Sequence, residues 1–268
     1  MIDRTTFLDT HQHLWDTARF SYRWMEELPA LNAPHLIRTY REAAEGLNIL
    51  GSVHIETDVD EADLPAETAW IFSLADNPAH GILGVVAGAR LERENCFAHL
   101  EPFWVHPKLK GLRRVIHTQA DEIMKDARFL SNLGILAQRG LSFDLCVLAR
   151  QLPAALEVVK RFPSISFVLD HCGNPDIKSQ ALDPWRRHLR AFAEEPNVVC
   201  KVSGIAASVD PANWSAENFR PFVEHVIECF GWERVLWGSD WPVCRLTCSL
   251  RQWVEVVQEL IQSHGCPK

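Results

Sequence analysis

Eight strand-like runs alternate with helical stretches along this chain, and that order restricts its fold more than any other feature. The runs fall at 8–15, 49–56, 82–89, 109–116, 141–147, 165–170, 198–202 and 235–242. Helical patterns fill the gaps at 36–45, 64–74, 92–105, 126–140, 151–162, 183–194 and 216–230, and a last one follows at 250–264. Pro102 is a flaw in the third of these, and Gly140 suits a C-terminal cap for the fourth. Runs such as Ser166-Phe167-Val168-Leu169 are almost wholly apolar, as parallel strands covered on both faces are. Strict alternation leaves a doubly wound sheet or a closed barrel. A count of eight in 268 residues favours an α/β fold of the (β/α)8 TIM-barrel type, with residues 1–268 as a single domain. No repeat, low-complexity run or linker interrupts the pattern. The expectation is eight parallel strands with inward apolar layers and the histidines gathered at one mouth.

Composition narrows the function classes. A net charge of −8 and the absence of a basic run argue against nucleic acid as a partner. No apolar run approaches the ~20 residues that span a bilayer, and the N-terminus lacks a signal-peptide layout. The eight cysteines form no C-x-x-C pair; Cys146, Cys172 and Cys200 lie in apolar runs and read as buried free thiols. A reducing cytoplasm is the expected compartment. Ten tryptophans stand against two tyrosines. Trp15, Trp24, Trp104, Trp237 and Trp241 fall near strand ends, where they either line a cleft or cap the core. The segment 16–34 is long for a loop in a compact domain and reads as a lid.

Chemistry-bearing residues recur at the strand ends. His11 and His13 are two apart on the first strand and project together, with Asp9 behind them on the same face. An isolated His-x-His is more often structural than metal-binding, but here Glu56, Arg113, His117, Asp144, His171, Lys201 and Asp240 fall at other strand ends. In a barrel those ends form one mouth, and closure sets Asp240 beside His11 and His13. Each residue alone has a bland reading: Glu56 beside a helix cap, Arg113 as a solvated charge, Asp144 as a supporting partner. The recurrence of the set is harder to dismiss.

The segments Asp9-Thr10-His11-Gln12-His13, Lys110-Gly111-Leu112-Arg113, Leu169-Asp170-His171-Cys172-Gly173, Cys200-Lys201-Val202-Ser203-Gly204 and Gly238-Ser239-Asp240-Trp241-Pro242 occur in this order. Together they resemble the amidohydrolase superfamily, in particular its amidohydrolase-2 group of sugar-lactone and related lactone hydrolases, such as L-fuconolactonases and L-rhamnonolactonases. The resemblance runs from about residue 8 to about residue 260. It implies Asp240 as the base that activates water, with His11, His13 and His171 as further catalytic groups. It implies Arg113 as the holder of a substrate carboxylate or carbonyl, with His117, Lys201 and Trp241 in the same pocket. Many metal-dependent members carry a strand-five histidine or carboxylated lysine, where this chain offers Asp144 and Cys146. At most one divalent ion is therefore expected, zinc first, on His11 and His13 with Glu56 or Asp240; a metal-free site is the alternative. Relatives continue into a further short segment where this chain reads Gly265-Cys266-Pro267-Lys268.

The implied reaction is opening of a lactone of a sugar acid, such as an L-fucono-, L-rhamnono- or galactonolactone. Such a cyclic ester needs an activated water, a polarised carbonyl and a proton for the leaving alkoxide. Two other readings stay open: a non-oxidative decarboxylase of the same superfamily and a barrel that only binds sugars. The expected partner is a small-molecule lactone, with nucleic acid and membrane excluded and a homo-oligomer left open.

Overall fold

β-Branched and apolar runs become strands, and the amphipathic stretches between them become the helices that cover them. The computed structural model describes residues 5–265; Cys266 lies outside them. Strands β1 (Phe7–Gln12), β2 (Ile49–Ile55), β3 (Ile82–Gly88), β4 (Leu109–Val115), β5 (Ser142–Cys146), β6 (Phe167–Leu169), β7 (Val198–Val202) and β8 (Val235–Trp237) pair in sequence order. Every pair is parallel. The helices are α1 (Ile37–Ala43), α2 (Leu64–Asp76), α3 (Ala127–Arg139), α4 (Leu152–Arg161), α5 (Trp185–Ala193), α6 (Ala216–Phe230) and α7 (Leu250–Ser263). The expected helix at 92–105 is not formed: only a 3-10 turn, Ala98–Phe103, joins β3 to β4. Pro102 sits inside it and cannot donate to a helical ladder. Gly140 takes the left-handed conformation (φ 64°) that ends α3, as its position suggested.

The barrel closes through a seam laid just past the short β8. Thr10 Oγ1 donates to Trp237 O (2.7 Å), Asp240 N to His11 O (2.8 Å) and His13 N to Trp241 O (2.8 Å). Asp9 clasps the seam from within, taking Ser239 N on Oδ1 (2.8 Å) and Tyr40 OH on Oδ2 (2.8 Å). Gly238 makes this approach possible: a Cβ there would run into the Cβ of His11 and stand 3.0 Å from His11 N. Gly238→Ala is expected to cost about 1–3 kcal/mol, the usual scale of overpacking. A urea midpoint equal to the parent's would show that the seam yields freely.

The helices bury Phe129, Leu133, Phe219, Phe222, Trp253 and Val257 in the apolar core. The upper interior of the barrel differs from the expected apolar layers. Lys201 on β7 reaches Asp144 on β5 and His11 on β1, and Arg113 on β4 reaches Glu56 just past β2. Contacts between strands that are not neighbours must cross the interior. The barrel is therefore plugged by paired charges beneath its C-terminal mouth.

Candidate active site

The strand ends bring His11, His13, Arg113, His171 and Asp240 together at one mouth, with the His11 and His171 rings 4.6 Å apart. His11 Nε2 and His13 Nε2 are 3.2 Å apart. Asp240 Oδ1 lies 3.2 Å from His13 Nε2 and 3.7 Å from His11 Nε2. All three residues are almost fully buried. Asp240 adopts a left-handed backbone (φ 53°), as do His171 and Cys172 (φ 56° and 55°) at the end of β6. Such residues cost free energy and persist where their surroundings hold them.

The neighbours of His13 set its tautomer. His13 Nδ1–H donates to Ile55 O (2.8 Å), which leaves Nε2 as the acceptor. His11 sits between donor-only groups on both nitrogens: Arg113 Nη1 lies 3.3 Å from Nε2, and Lys201 Nζ lies 3.2 Å from Nδ1, which also has Asp170 Oδ1 at 3.3 Å. Burial, with help from Lys201 and His171, holds the His11 pKa well below the ordinary range, so its ring is neutral. Two imidazole nitrogens and one carboxylate oxygen converge here, a combination that calls for a cation or a shared proton. Nitrogens bound to one tetrahedral zinc lie roughly 3.3 Å apart, close to the separation here. The donor set, and the backbone carbonyl and carboxylate behind the two rings, suit one divalent ion.

Glu56 is not part of this group. Its Oε1 accepts from Arg113 Nε (2.9 Å) and its Oε2 from Asp58 N (2.7 Å). Burial raises its pKa, but Arg113 and Arg90 outweigh that and hold it below the ordinary value. Asp170 is the residue that the sequence reading missed. It contacts His11, lies 3.0 Å from Lys201 Nζ, and takes Arg113 Nη1 on Oδ2 at 3.4 Å. Its signal was a carboxylate closing an apolar strand, next to His171.

A cavity of about 280 Å³ opens over this floor. His13, Arg113, His117, His171 and Asp240 line it, with Trp15 and Trp24 as aromatic walls and Asp58 among the polar groups. His171 shares a 2.8 Å hydrogen bond between Nδ1 and Ser203 Oγ. His117 sits against Cys146 Sγ (3.1 Å), and burial, with His171 and Arg113 nearby, lowers its pKa to about 4. Two expected pocket residues do not reach the cavity. Lys201 lies one layer below, on Asp144 (2.8 Å) and Asp170. Trp241 turns away after the left-handed Asp240 and packs its ring on His35 and Tyr40, 5.5 and 5.3 Å between centroids. Of the tryptophans read as cleft candidates, Trp15 and Trp24 line the cavity. Trp237 instead packs on Phe7, 4.7 Å between centroids, in a separate pocket beside α6 and α7, and Trp104 packs under Arg139.

The segment 16–34 covers this side of the mouth and carries its own apolar cluster of Phe20, Tyr22, Met25 and Leu31 around Trp15. Trp15 and His35 pair at its base, and Trp24 Nε1 donates to Thr57 O (2.8 Å). Tyr22 OH donates to Glu67 Oε1 (3.1 Å), which also accepts from Thr57. Burial, reinforced by Glu56, pushes the Glu67 pKa up from 4.5 to about 8. The folded state then keeps a proton that the unfolded chain has lost, so stability falls as pH rises from about 4.5 to about 8. Glu67→Gln is expected to flatten that slope, by at most about 1.4 kcal/mol per pH unit. Denaturation midpoints at pH 5.5 and 7.5 measure it, and parallel parent and variant curves would contradict it.

A family model described as amidohydrolase matches residues 8–267. L-fucono-1,5-lactonase of Burkholderia multivorans is 29% identical over 271 residues, covering 96% of this chain and 88% of that protein. The L-fucono-1,5-lactonase of Burkholderia ambifaria is 29% identical over 241 residues, covering 89% and 81%. Among solved structures, an amidohydrolase from Burkholderia multivorans with bound zinc superposes with a TM-score of 0.85 at 29% identity, covering 97% of this chain and 92% of that one.

Proposed function

The chain belongs to the amidohydrolase family, and from that premise we propose that it opens the lactone ring of a sugar acid by adding water. The observation that carries this reading is the convergence of His11 Nε2, His13 Nε2 and Asp240 Oδ1 beneath a cavity that also exposes Arg113. The lactonase names of its relatives support the same substrate class. One divalent ion, zinc first among candidates because a relative holds it, fits on His11, His13 and Asp240; when bound it would polarise the carbonyl and acidify water.

Asp240 takes the proton of the attacking water. Arg113, fixed by Glu56 and always charged, faces the oxygen on which negative charge develops. The proton on Asp240 then passes to the leaving alkoxide by way of His171, which lines the same cavity, so both groups end as they began. The product is a hydroxy acid. Arg113 also touches His11 Nε2, so guanidinium and metal compete for one nitrogen. That contact favours a second reading in which Arg113 itself is the cation of a metal-free site. Among the described residues seven cysteines are free thiols, which suits a reducing compartment such as the cytoplasm. No helix of the described residues is long and apolar enough to cross a membrane.

A pH-indicator screen of sugar lactones, with elemental analysis of the same sample, tests this. Acid release and at most one metal equivalent per chain are expected, and the metal should be lost in His13→Asn. Two equivalents would refute the single-ion centre. Full activity with none would select the Arg113 alternative. Release of CO2 from aromatic carboxylates, with every lactone inert, would replace the hydrolase by a decarboxylase.

A further inference from the structure

Asp58 lies in the loop after β2 and lines the cavity beside Trp24 and Thr57. Its backbone is left-handed (φ 51°), a conformation uncommon outside glycine. Three groups hold it there. Asp58 N donates to Glu56 Oε2 (2.7 Å), and Oδ1 lies 3.0 Å from Arg90 Nη2 and 3.7 Å from Arg114 Nη1. Arg114 is itself fixed by Glu92 (2.8 Å), and Arg90 by Val59 O (2.8 Å). Both arginine contacts fall on Oδ1. No hydrogen bond to Oδ2 is found among the described residues, and the side chain is 24% exposed. No described contact joins Asp58 to His11, His13 or Asp240, so it stands outside the group assigned to the chemistry.

We propose that Asp58 is the specificity-determining residue of the cavity, its Oδ2 accepting hydrogen bonds from the ring hydroxyls of a polyhydroxylated lactone. This rests on the lactone reading above and adds what the site selects. A carboxylate is an acceptor only, so it recognises donors, and each sugar hydroxyl is one. Held in advance by two arginines and a backbone bond, it loses little freedom on binding. Trp15, Trp24, Val115 and Val243 line the same cavity, which thus combines apolar walls with a fixed polar group, the usual design of a small-ligand site. A lactone without hydroxyls gains nothing from Oδ2, so Asp58 separates the two by what it adds to the hydroxylated one.

The test compares a six-carbon aldonolactone with unsubstituted δ-valerolactone, using parent and Asp58→Asn enzyme. Asparagine tolerates the left-handed backbone and keeps an oxygen for Arg90. Asp58→Gly, free at this φ, serves if the asparagine variant folds poorly. The aldonolactone should lose about 10- to 100-fold in kcat/KM, chiefly through KM, as expected for one charge-assisted hydrogen bond. Turnover of δ-valerolactone should stay near the parent's. Equal losses on both lactones, or none on either, overturn the proposal. Calorimetry with the unreactive aldonolactam separates it from the reaction. Asp58-dependent binding by a protein that opens no lactone would sink the hydrolase reading and leave the hydroxyl recognition standing; binding that ignores Asp58 would sink the recognition.

Discussion

Asp240→Asn is expected to lower kcat by about 10²–10⁴-fold, with a much smaller change in KM, because it removes the acceptor of the water proton. The backbone makes this a clean exchange. Asp240 N donates to His11 O (2.8 Å), Cys244 N donates to Asp240 O (3.0 Å), and asparagine accepts the left-handed φ of 53°. Folding and the seam between β8 and β1 should survive, so the melting temperature should stay at the parent value. The rival is that Asp240 only orders the turn after β8, in which case the variant loses melting temperature and keeps its turnover. Because Oδ1 also faces His13 at 3.2 Å, metal content is measured on the same preparation. A variant that keeps its metal and loses its rate has lost a base, whereas one that loses both has lost a ligand. A folded Asp240→Asn enzyme running near the parent rate would end the mechanism.

The parts of this site that could be read from the chain share one property: their meaning is local or follows from closure. His11 and His13 share a face because strand periodicity is two, and Asp240 meets them because strand eight returns to strand one. Gly238, two residues before Asp240, leaves the room that the approach of His11 needs. Depth was not legible. Lys201 and Arg113 both end strands, yet Arg113 lines the cavity and Lys201 lies beneath it. That depends on strand stagger, which no single run encodes. Trp241 follows Asp240 and was placed in the pocket with it, but a left-handed residue breaks the alternation and sends the indole to His35 and Tyr40. Asp170 was passed over because His171 beside it has the more familiar chemistry. Its partners, His11, Arg113 and Lys201, come from three other strands. The 92–105 stretch misled for a simpler reason: its apolar spacing suited a helix that Pro102 does not allow.

Lys201→Met is expected to destabilise the protein by about 3–5 kcal/mol, the scale for stripping one partner from a buried ion pair. Lys201 is 2% exposed, with Nζ 2.8 Å from Asp144, 3.0 Å from Asp170 and 3.2 Å from His11 Nδ1. With Arg113 it faces three buried carboxylates, those of Asp144, Asp170 and Glu56. Removing it takes the ion-pair partner from Asp144 and leaves Asp170 with Arg113. Burial already pushes Asp144 up to about 6 against the pull of Lys201. Burial raises Asp170 too, but Lys201 and His11 outweigh it and hold that carboxyl well below the ordinary range. A depressed carboxylate contributes stability above its unfolded pKa and loses it as pH falls through the folded one. The deficit of Lys201→Met should therefore be largest at neutral pH and shrink in acid, where Asp144 and Asp170 take up protons. Methionine fills most of the lysine's space, so a cavity is not the cause. Adding Asp144→Leu should recover part of the loss, because an unpaired charge leaves the interior together with the demand for a partner. Urea denaturation of the parent, both single variants and the double variant at pH 5 and pH 7.5 closes the cycle. If Lys201→Met stays within about 1 kcal/mol of the parent at both pH values, the scale of a weak surface pair, the charges plugging the barrel are not held by Lys201.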